Sequence, residues 1–188
     1  MRRPLVWLLL SGIVIASQAA LEEGAVSATV AESDEQVELK WQHDGRTVSS
    51  SLPLYRSGNV RYFSAGVGAE ERSARYPSFA LKIIFTAGHK PFLSHVGVTI
   101  QPAAGGAATI IPPEQVEGPW LFVDLPPGPY DLSATFRGQV QRLKGITVES
   151  GRQKVIHVRW KEEQDSPVHV AEDPQEGGDI GPLGKGDE

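Results

Sequence analysis

Between residues 80 and 160, short runs in which every second residue is apolar alternate with turn-forming proline and glycine. Such runs cover residues 81–86, 96–101, 109–111, 120–125, 130–137, 140–148 and 154–160. Side chains two positions apart lie on the same face of a β-strand, so each run has one face for a core and one for solvent. These short strands predict an all-β fold, an antiparallel β-sandwich of about seven strands.

The turns between these runs are short. Pro126-Pro127-Gly128-Pro129 separates two of them. Proline has no backbone N–H and ends a central strand, and glycine suits a tight turn. Arg137-Gly138 and Glu149-Ser150-Gly151-Arg152 form the next two turns. Because none of them leaves room for a crossover helix, we expect successive strands to fold back on one another, and we exclude a parallel α/β sheet.

Residues 20–78 form a predicted N-terminal extension with short strands and a short helix. Asp44-Gly45, between extended runs at 37–41 and 46–51, predicts a hairpin. Residues 59–64 predict another strand. Residues 69–75 predict the helix, which precedes the first core strand and ends before Pro77.

Residues 1–19 have the three-part pattern of a secretory signal peptide: two arginines, an uncharged apolar run and a small-residue site before Ala20. The alternative is a membrane anchor, but the run is shorter than the roughly 20 apolar residues that span a bilayer. We therefore expect cleavage and a periplasmic or secreted protein. The chain contains no cysteine, so we expect its fold to be held by a packed core without disulfides.

Negative charge is concentrated at the C-terminal end. Residues 161–188 contain nine acidic residues and two lysines, whereas residues 20–160 contain 14 acidic and 14 basic residues. This composition predicts a disordered acidic tail at 161–188, which keeps the protein soluble, docks to a partner or binds cations weakly. A neutral folded part without a basic stripe argues against nucleic acid as a partner.

The stretch GPWLFVDLPPGPYDLSATFRGQVQRLKGITVESGRQKVIHVRW resembles the carboxypeptidase regulatory-like domain, a transthyretin-like (prealbumin-like) β-sandwich. The resemblance implies such a domain at residues 79–160, of a kind that is usually a non-catalytic structural or binding module. Upstream, Gly66-Val67-Gly68-Ala69-Glu70-Glu71 is similar to the G-V-G-x-x-E segment of small exported bacterial proteins that carry this domain.

Two sets of residues are candidates for binding. Trp120 and Phe122 lie on the opposite face of their strand from three aliphatic residues, so one of the two faces is a candidate for exposure. With Tyr130 they form a candidate binding surface, for a protein partner or for stacked sugar rings. The second set is the loop motif Gly66, Gly68, Glu70 and Glu71. Its carboxylates would repel phosphate, so close approach of the backbone to a neighbouring strand is the better interpretation.

The sequence offers no catalytic pattern. None of its five histidines is paired at a metal-ligand spacing, although His95 and His157 lie on predicted strands that could bring them together. Asp124 and Asp131 are interpreted as solvent-facing positions of two strands. We therefore expect no enzyme activity, cofactor or metal, and no membrane contact after signal cleavage. The predicted function is an exported module that binds or scaffolds a periplasmic protein partner; the alternatives are a carbohydrate-binding module and a hydrolase of unrecognised type.

Overall fold

The computed structural model describes residues 25–88 and 92–161. The predicted signal peptide and all of the predicted tail except Lys161 lie outside these residues. The described part is almost entirely β-structure arranged in packed, mainly antiparallel sheets, which confirms the predicted all-β sandwich.

The described residues form twelve strands, one short helix and one 3-10 turn at Pro113–Gln115. In chain order they are β1 (Ser27–Val30), β2 (Gln36–His43), β3 (Arg46–Pro53), β4 (Tyr55–Ser57), β5 (Val60–Ala65), α1 (Ala69–Ser73), β6 (Leu81–Ala87), β7 (Gly97–Pro102), β8 (Thr109–Ile111), β9 (Trp120–Asp124), β10 (Gly128–Phe136), β11 (Gln139–Val148) and β12 (Lys154–Trp160). The predicted helix is confirmed as α1. Residues 79–160 contribute β6 to β12, which are the seven strands expected there.

The strands form three sheets. The N-terminal sheet has the order β1-β2-β3, the central sheet β12-β6-β9-β5-β4, and the outer sheet β11-β10-β7-β8. The central and outer sheets enclose the main core, to which β6 contributes Leu81, Ile83 and Phe85, and β10 contributes Leu132 and Ala134. Removing these apolar side chains from water stabilises the sandwich, which has no cysteine to cross-link it.

A second core lies between the N-terminal sheet and the other face of the central sheet. Val37 and Leu39 of β2 pack there with Phe63 of β5 and Phe122 of β9. In addition, β5 pairs with β9, and β4 pairs with β5. Residues 25–78 are therefore an integral part of the central sheet and its cover, and residue 79 marks no structural boundary.

The expectation that successive strands pair as hairpins is correct at two turns and wrong at two others. Asp44-Gly45 joins β2 to β3, and Arg137-Gly138 joins β10 to β11, as predicted. In contrast, the Pro126–Pro127 segment carries the chain from β9 in the central sheet to β10 in the outer sheet, and the turn at Glu149–Arg152 carries it back to β12.

On its return to the central sheet, β12 pairs in parallel with β6, His157 opposite Ile84. This parallel pair needs no crossover helix, because the intervening chain forms β7, β8, β10 and β11 in the outer sheet and β9 in the central sheet. The exclusion of a parallel α/β sheet is therefore confirmed, although one pair of strands in this region is parallel.

Candidate functional site

The three residues predicted to form an aromatic binding surface lie in different places. Phe122 is 2% exposed in the second core, where its ring stacks on Phe63 with centroids 4.6 Å apart and an interplanar angle of 2°. Tyr130 is 7% exposed on β10 of the outer sheet, and its hydroxyl donates to the Pro126 carbonyl oxygen at 2.8 Å. These residues therefore form no common exposed surface. The reason is that both faces of β9 are buried, one by each neighbouring sheet.

Trp120 is half-buried, and neighbouring groups contact its indole. The Lys82 ammonium lies over the ring, with Nζ 3.5 Å from the centroid, and the burial of that lysine lowers its pKa. A Cβ atom on Gly66 would lie 3.1 Å from Cδ2 of the same indole. A cation over a tryptophan face is attracted by the ring quadrupole. This face of Trp120 is therefore occupied within the fold and does not offer a free platform for a sugar ring.

The Gly66 loop is held by side chains of the helix that follows it. A Glu71 carboxylate oxygen accepts hydrogen bonds from the backbone N–H of Gly66 at 2.7 Å and of Val67 at 3.0 Å. Arg72 donates to the carbonyl oxygen of Val67 at 2.7 Å. The amides that an anion would need are therefore already satisfied, while Gly66 itself is required for its φ of +99° and its contact with Trp120.

Two members of the predicted loop motif have lesser roles in this arrangement. Gly68 precedes α1 with an extended backbone at φ −89°, which other residues also adopt. Glu70 is exposed, and its carboxylate makes no hydrogen bond within the described part of the chain. Of the two glutamates, only Glu71 holds the loop.

This difference predicts unequal effects for the two glutamates. Replacing Glu71 by alanine should lower the free energy of unfolding by about 1 to 2 kcal/mol, because the partly buried amide of Gly66 loses its acceptor. Replacing Glu70 by alanine is the matched control and should change it by less than about 0.5 kcal/mol. Urea unfolding followed by tryptophan fluorescence measures both. Equal effects would show that Glu71 does not hold the loop.

The other predicted pairs are separated by the fold. Asp124 of the central sheet accepts from Arg61 at 2.7 Å, whereas Asp131 of the outer sheet accepts from the Gly145 N–H at 2.9 Å. His95 precedes β7 with φ +57° and lies beside Ser94, whereas His157 is exposed on β12. Each aspartate therefore has its own structural partner. The prediction that His95 lies on a strand is wrong, because β7 begins at Gly97, whereas His157 lies on β12 as predicted.

Among the described residues there is no group of three His, Asp or Glu side chains that could hold a metal ion. No helix in the described part of the chain is long and apolar enough to cross a membrane.

One feature of the central sheet is open to a partner, namely the outer edge of β12. The Lys154 N–H donates to Ala80 O at 2.8 Å, and Trp160 O accepts from the Gly88 N–H at 3.2 Å. In a parallel pair, residues that bond to one neighbour alternate with residues that face the other side. The N–H and C=O groups of Val155, His157 and Arg159 therefore face away from β6, and β12 pairs with no second strand among the described residues.

The side chains around this edge are exposed and mostly basic. Val155 is 46% exposed, and the neighbouring charges are those of Arg152, Lys154, Arg159 and Lys161, together with the Glu149 carboxylate, which lies 3.5 Å from Arg152. A cleft of about 280 Å³ lies beside the start of the strand, lined by Thr147, Glu149, Arg152, Gln153, Lys154 and Val155. In contrast, Ile156, Val158 and Trp160 are buried in the main core, so β12 is firmly held while one side of its backbone remains unpaired.

The other free edges are less suited to pairing. The edge strand β11 contains a register irregularity opposite Tyr130 and Leu132, with Gly145 at φ +67°, and such bulges discourage a further strand. β4 and β8 have three residues each, and β3 ends in Pro53, a residue that discourages pairing at a sheet edge. We name the unpaired side of Lys154–Trp160 the β12 edge.

No family model, curated protein or solved structure matches this chain. The resemblance to the carboxypeptidase regulatory-like domain therefore stays a prediction.

The sequence interpretation missed the β12 edge. Alternation along residues 154–160 predicted that one face of the strand is exposed to solvent. Whether the backbone of β12 has an unpaired side, however, depends on which strands it pairs with. The hairpin that the Glu149–Arg152 turn suggested would have paired β12 with β11 and not with β6. The exposed basic residues on either side of Val155 were the one available signal, since charged side chains are typical of edge strands.

Proposed function

We propose that this protein is an exported, non-catalytic binding module, which takes up an extended segment of a protein partner as an additional strand on the β12 edge. The observation that supports the proposal most strongly is the row of unpaired backbone groups at Val155, His157 and Arg159, on a strand that buries the side chains of Ile156, Val158 and Trp160. An extended peptide that adds to a sheet edge gains main-chain hydrogen bonds, and its alternate side chains provide specificity.

The charge of the edge indicates the chemistry of the partner segment. Lys154, Arg159 and Lys161 are exposed, and no carboxylate of the described residues pairs with them. Opposite charges on neighbouring strands stabilise a sheet by roughly 0.2 to 1 kcal/mol per pair, and like charges destabilise it. The favoured partner is therefore an extended segment with acidic side chains and some β-branched residues that cover Val155.

The carbohydrate alternative has less support from the structure. It depended on exposed aromatic faces, but Phe122, Tyr130 and Trp160 are buried and Lys82 covers a face of Trp120. The periplasmic or secreted location is proposed from the signal-peptide pattern in residues 1–19.

A proline on the edge tests the proposal without removing the core. His157→Pro deletes an N–H that faces the partner, whereas Ile156→Pro would delete one that bonds to β6. Peptides from a random display library should be selected on the wild-type protein and then compared on His157→Pro. We expect the selected peptides to be acidic, with apolar residues at every second position. Their affinity for His157→Pro, measured by fluorescence anisotropy, should be at least tenfold weaker than their affinity for the wild type.

The control variant is His157→Ala, which keeps the backbone N–H and should bind these peptides nearly as well as the wild type. Circular dichroism must show the same β-sheet spectrum for all three proteins. Selected peptides that bind His157→Pro as tightly as the wild type, or a selection that enriches none, would overturn the proposal.

A further inference from the structure

We propose that the acidic C-terminal segment of this same chain occupies the β12 edge, with residues 166–171 as the added strand, and so competes with the partner. This inference rests on the proposed function, because it concerns the same edge. Three observations support it: the charge of the edge, the charge and pattern of the segment, and the point at which the segment leaves the fold.

The two regions carry opposite charge. Residues 128–161, which contain β10 to β12, have seven basic residues and two acidic ones, whereas residues 162–188 have nine acidic residues and one lysine. The basic residues of this part of the fold are exposed. The rest of the described chain carries no comparable positive excess, so the attraction is directed to this side of the molecule.

The segment also has the pattern that an added strand requires. Residues 166–171 read SPVHVA; in an added strand Val168 and Val170 would lie on one side and His169 on the other, and Pro167 would have no N–H to donate. Acidic residues flank this stretch, with Glu162, Glu163 and Asp165 before it and Glu172 and Asp173 after it. A strand pairs through its backbone, and the valines suit a half-buried position next to Val155.

The connection has a suitable length. β12 ends at Trp160, and seven residues separate it from Val168. A chain that turns back over this length and runs antiparallel to β12 brings Glu172 and Asp173 to the start of the strand, where Arg152 and Lys154 lie. The acidic residues at 162–165 then stay near Arg159 and Lys161.

A second copy of the chain is a less suitable occupant of the edge. Pairing β12 with β12 of another molecule would bring two basic edges together, and like charges on neighbouring strands are unfavourable. The tethered segment, in contrast, has an effective concentration on the order of millimolar. A dissociation constant of about 0.1 mM between the separate pieces would then suffice to occupy the edge about nine-tenths of the time.

Amide hydrogen exchange on the full chain tests this inference, because it reads each residue of β12 separately. Val168→Pro/Val170→Pro blocks strand addition and leaves the charge unchanged. Gly177→Pro/Gly178→Pro is the matched control, with the same number of prolines further along the segment. We expect exchange at Val155, His157 and Arg159 to be about tenfold faster in the valine variant than in the wild type, and unchanged in the control.

The same exchange should also become faster in 0.5 M sodium chloride, because salt screens exposed charges. Equal exchange in the two proline variants and the wild type would overturn the inference. So would protection that rises with protein concentration, which would indicate a second copy. Neither result bears on the proposed function, which is tested separately by peptide binding to His157→Pro.

Discussion

Replacing Phe122 by alanine is expected to lower the free energy of unfolding by about 3 to 5 kcal/mol, the usual range for a fully buried phenylalanine. The Phe122 side chain lies in the second core, where it stacks on Phe63 and also contacts Tyr76, with ring centroids 4.8 Å apart. Its removal leaves a cavity between the N-terminal and central sheets, which neither sheet can close without disturbing its own pairing. Urea unfolding monitored by far-ultraviolet circular dichroism measures the loss.

Phe92→Ala is the matched control for this prediction. Phe92 is 44% exposed, and Arg72 lies 5.8 Å from its ring centroid, so its truncation should cost less than about 1 kcal/mol. If Phe122→Ala were no more destabilising than Phe92→Ala, the N-terminal sheet would not pack on the central sheet in solution.

Replacing Gly118 by alanine is expected to destabilise the protein by about 3 kcal/mol or more, through a clash rather than a cavity. A Cβ atom on Gly118 would lie against the carbonyl oxygen of Ala65 and 2.6 Å from its carbonyl carbon. The Gly118 N–H also donates to the buried Ser64 hydroxyl at 2.7 Å, and that hydroxyl donates back to Gly118 O at 3.2 Å. Moving the backbone to relieve the clash would break both hydrogen bonds.

Gly97→Ala provides the comparison, since a Cβ there would make an ordinary contact of 3.5 Å with Pro113. We expect a change of less than about 1 kcal/mol at this position. Differential scanning calorimetry of both variants gives the answer. A melting temperature for Gly118→Ala equal to that of Gly97→Ala would show that β5 and the chain before β9 do not approach this closely.

The local structure was predictable from the sequence because period-two alternation and turn residues act over a few residues. The strands of residues 79–160, the hairpin at Asp44-Gly45 and the helix before Leu81 all appear in the structure. What alternation cannot show is which sheet a strand joins. A tight turn such as Glu149–Arg152 serves equally well for a hairpin and for a passage between two stacked sheets, and this ambiguity concealed the β12 edge.

The aromatic candidates failed for a related reason. Alternation along β9 correctly placed Trp120 and Phe122 on the opposite face from Leu121 and Val123. In the expected sandwich of two sheets, one of these faces would be exposed to solvent. The third layer, formed by residues 27–53, covers the face that carries Phe122. Nothing in the local pattern of β9 indicates that cover, because it comes from a distant part of the chain.

Strand addition at β12 depends on the parallel pairing of β12 with β6, because this pairing leaves the backbone N–H and C=O groups of Val155, His157 and Arg159 without a partner strand. Nuclear Overhauser contacts between the backbone protons of β12 and its neighbours measure it directly in the full chain. We predict contacts in the parallel register, with His157 near Ile84 and Val155 near Lys82. Antiparallel contacts between β12 and β11, as in a hairpin across Glu149–Arg152, would contradict the account.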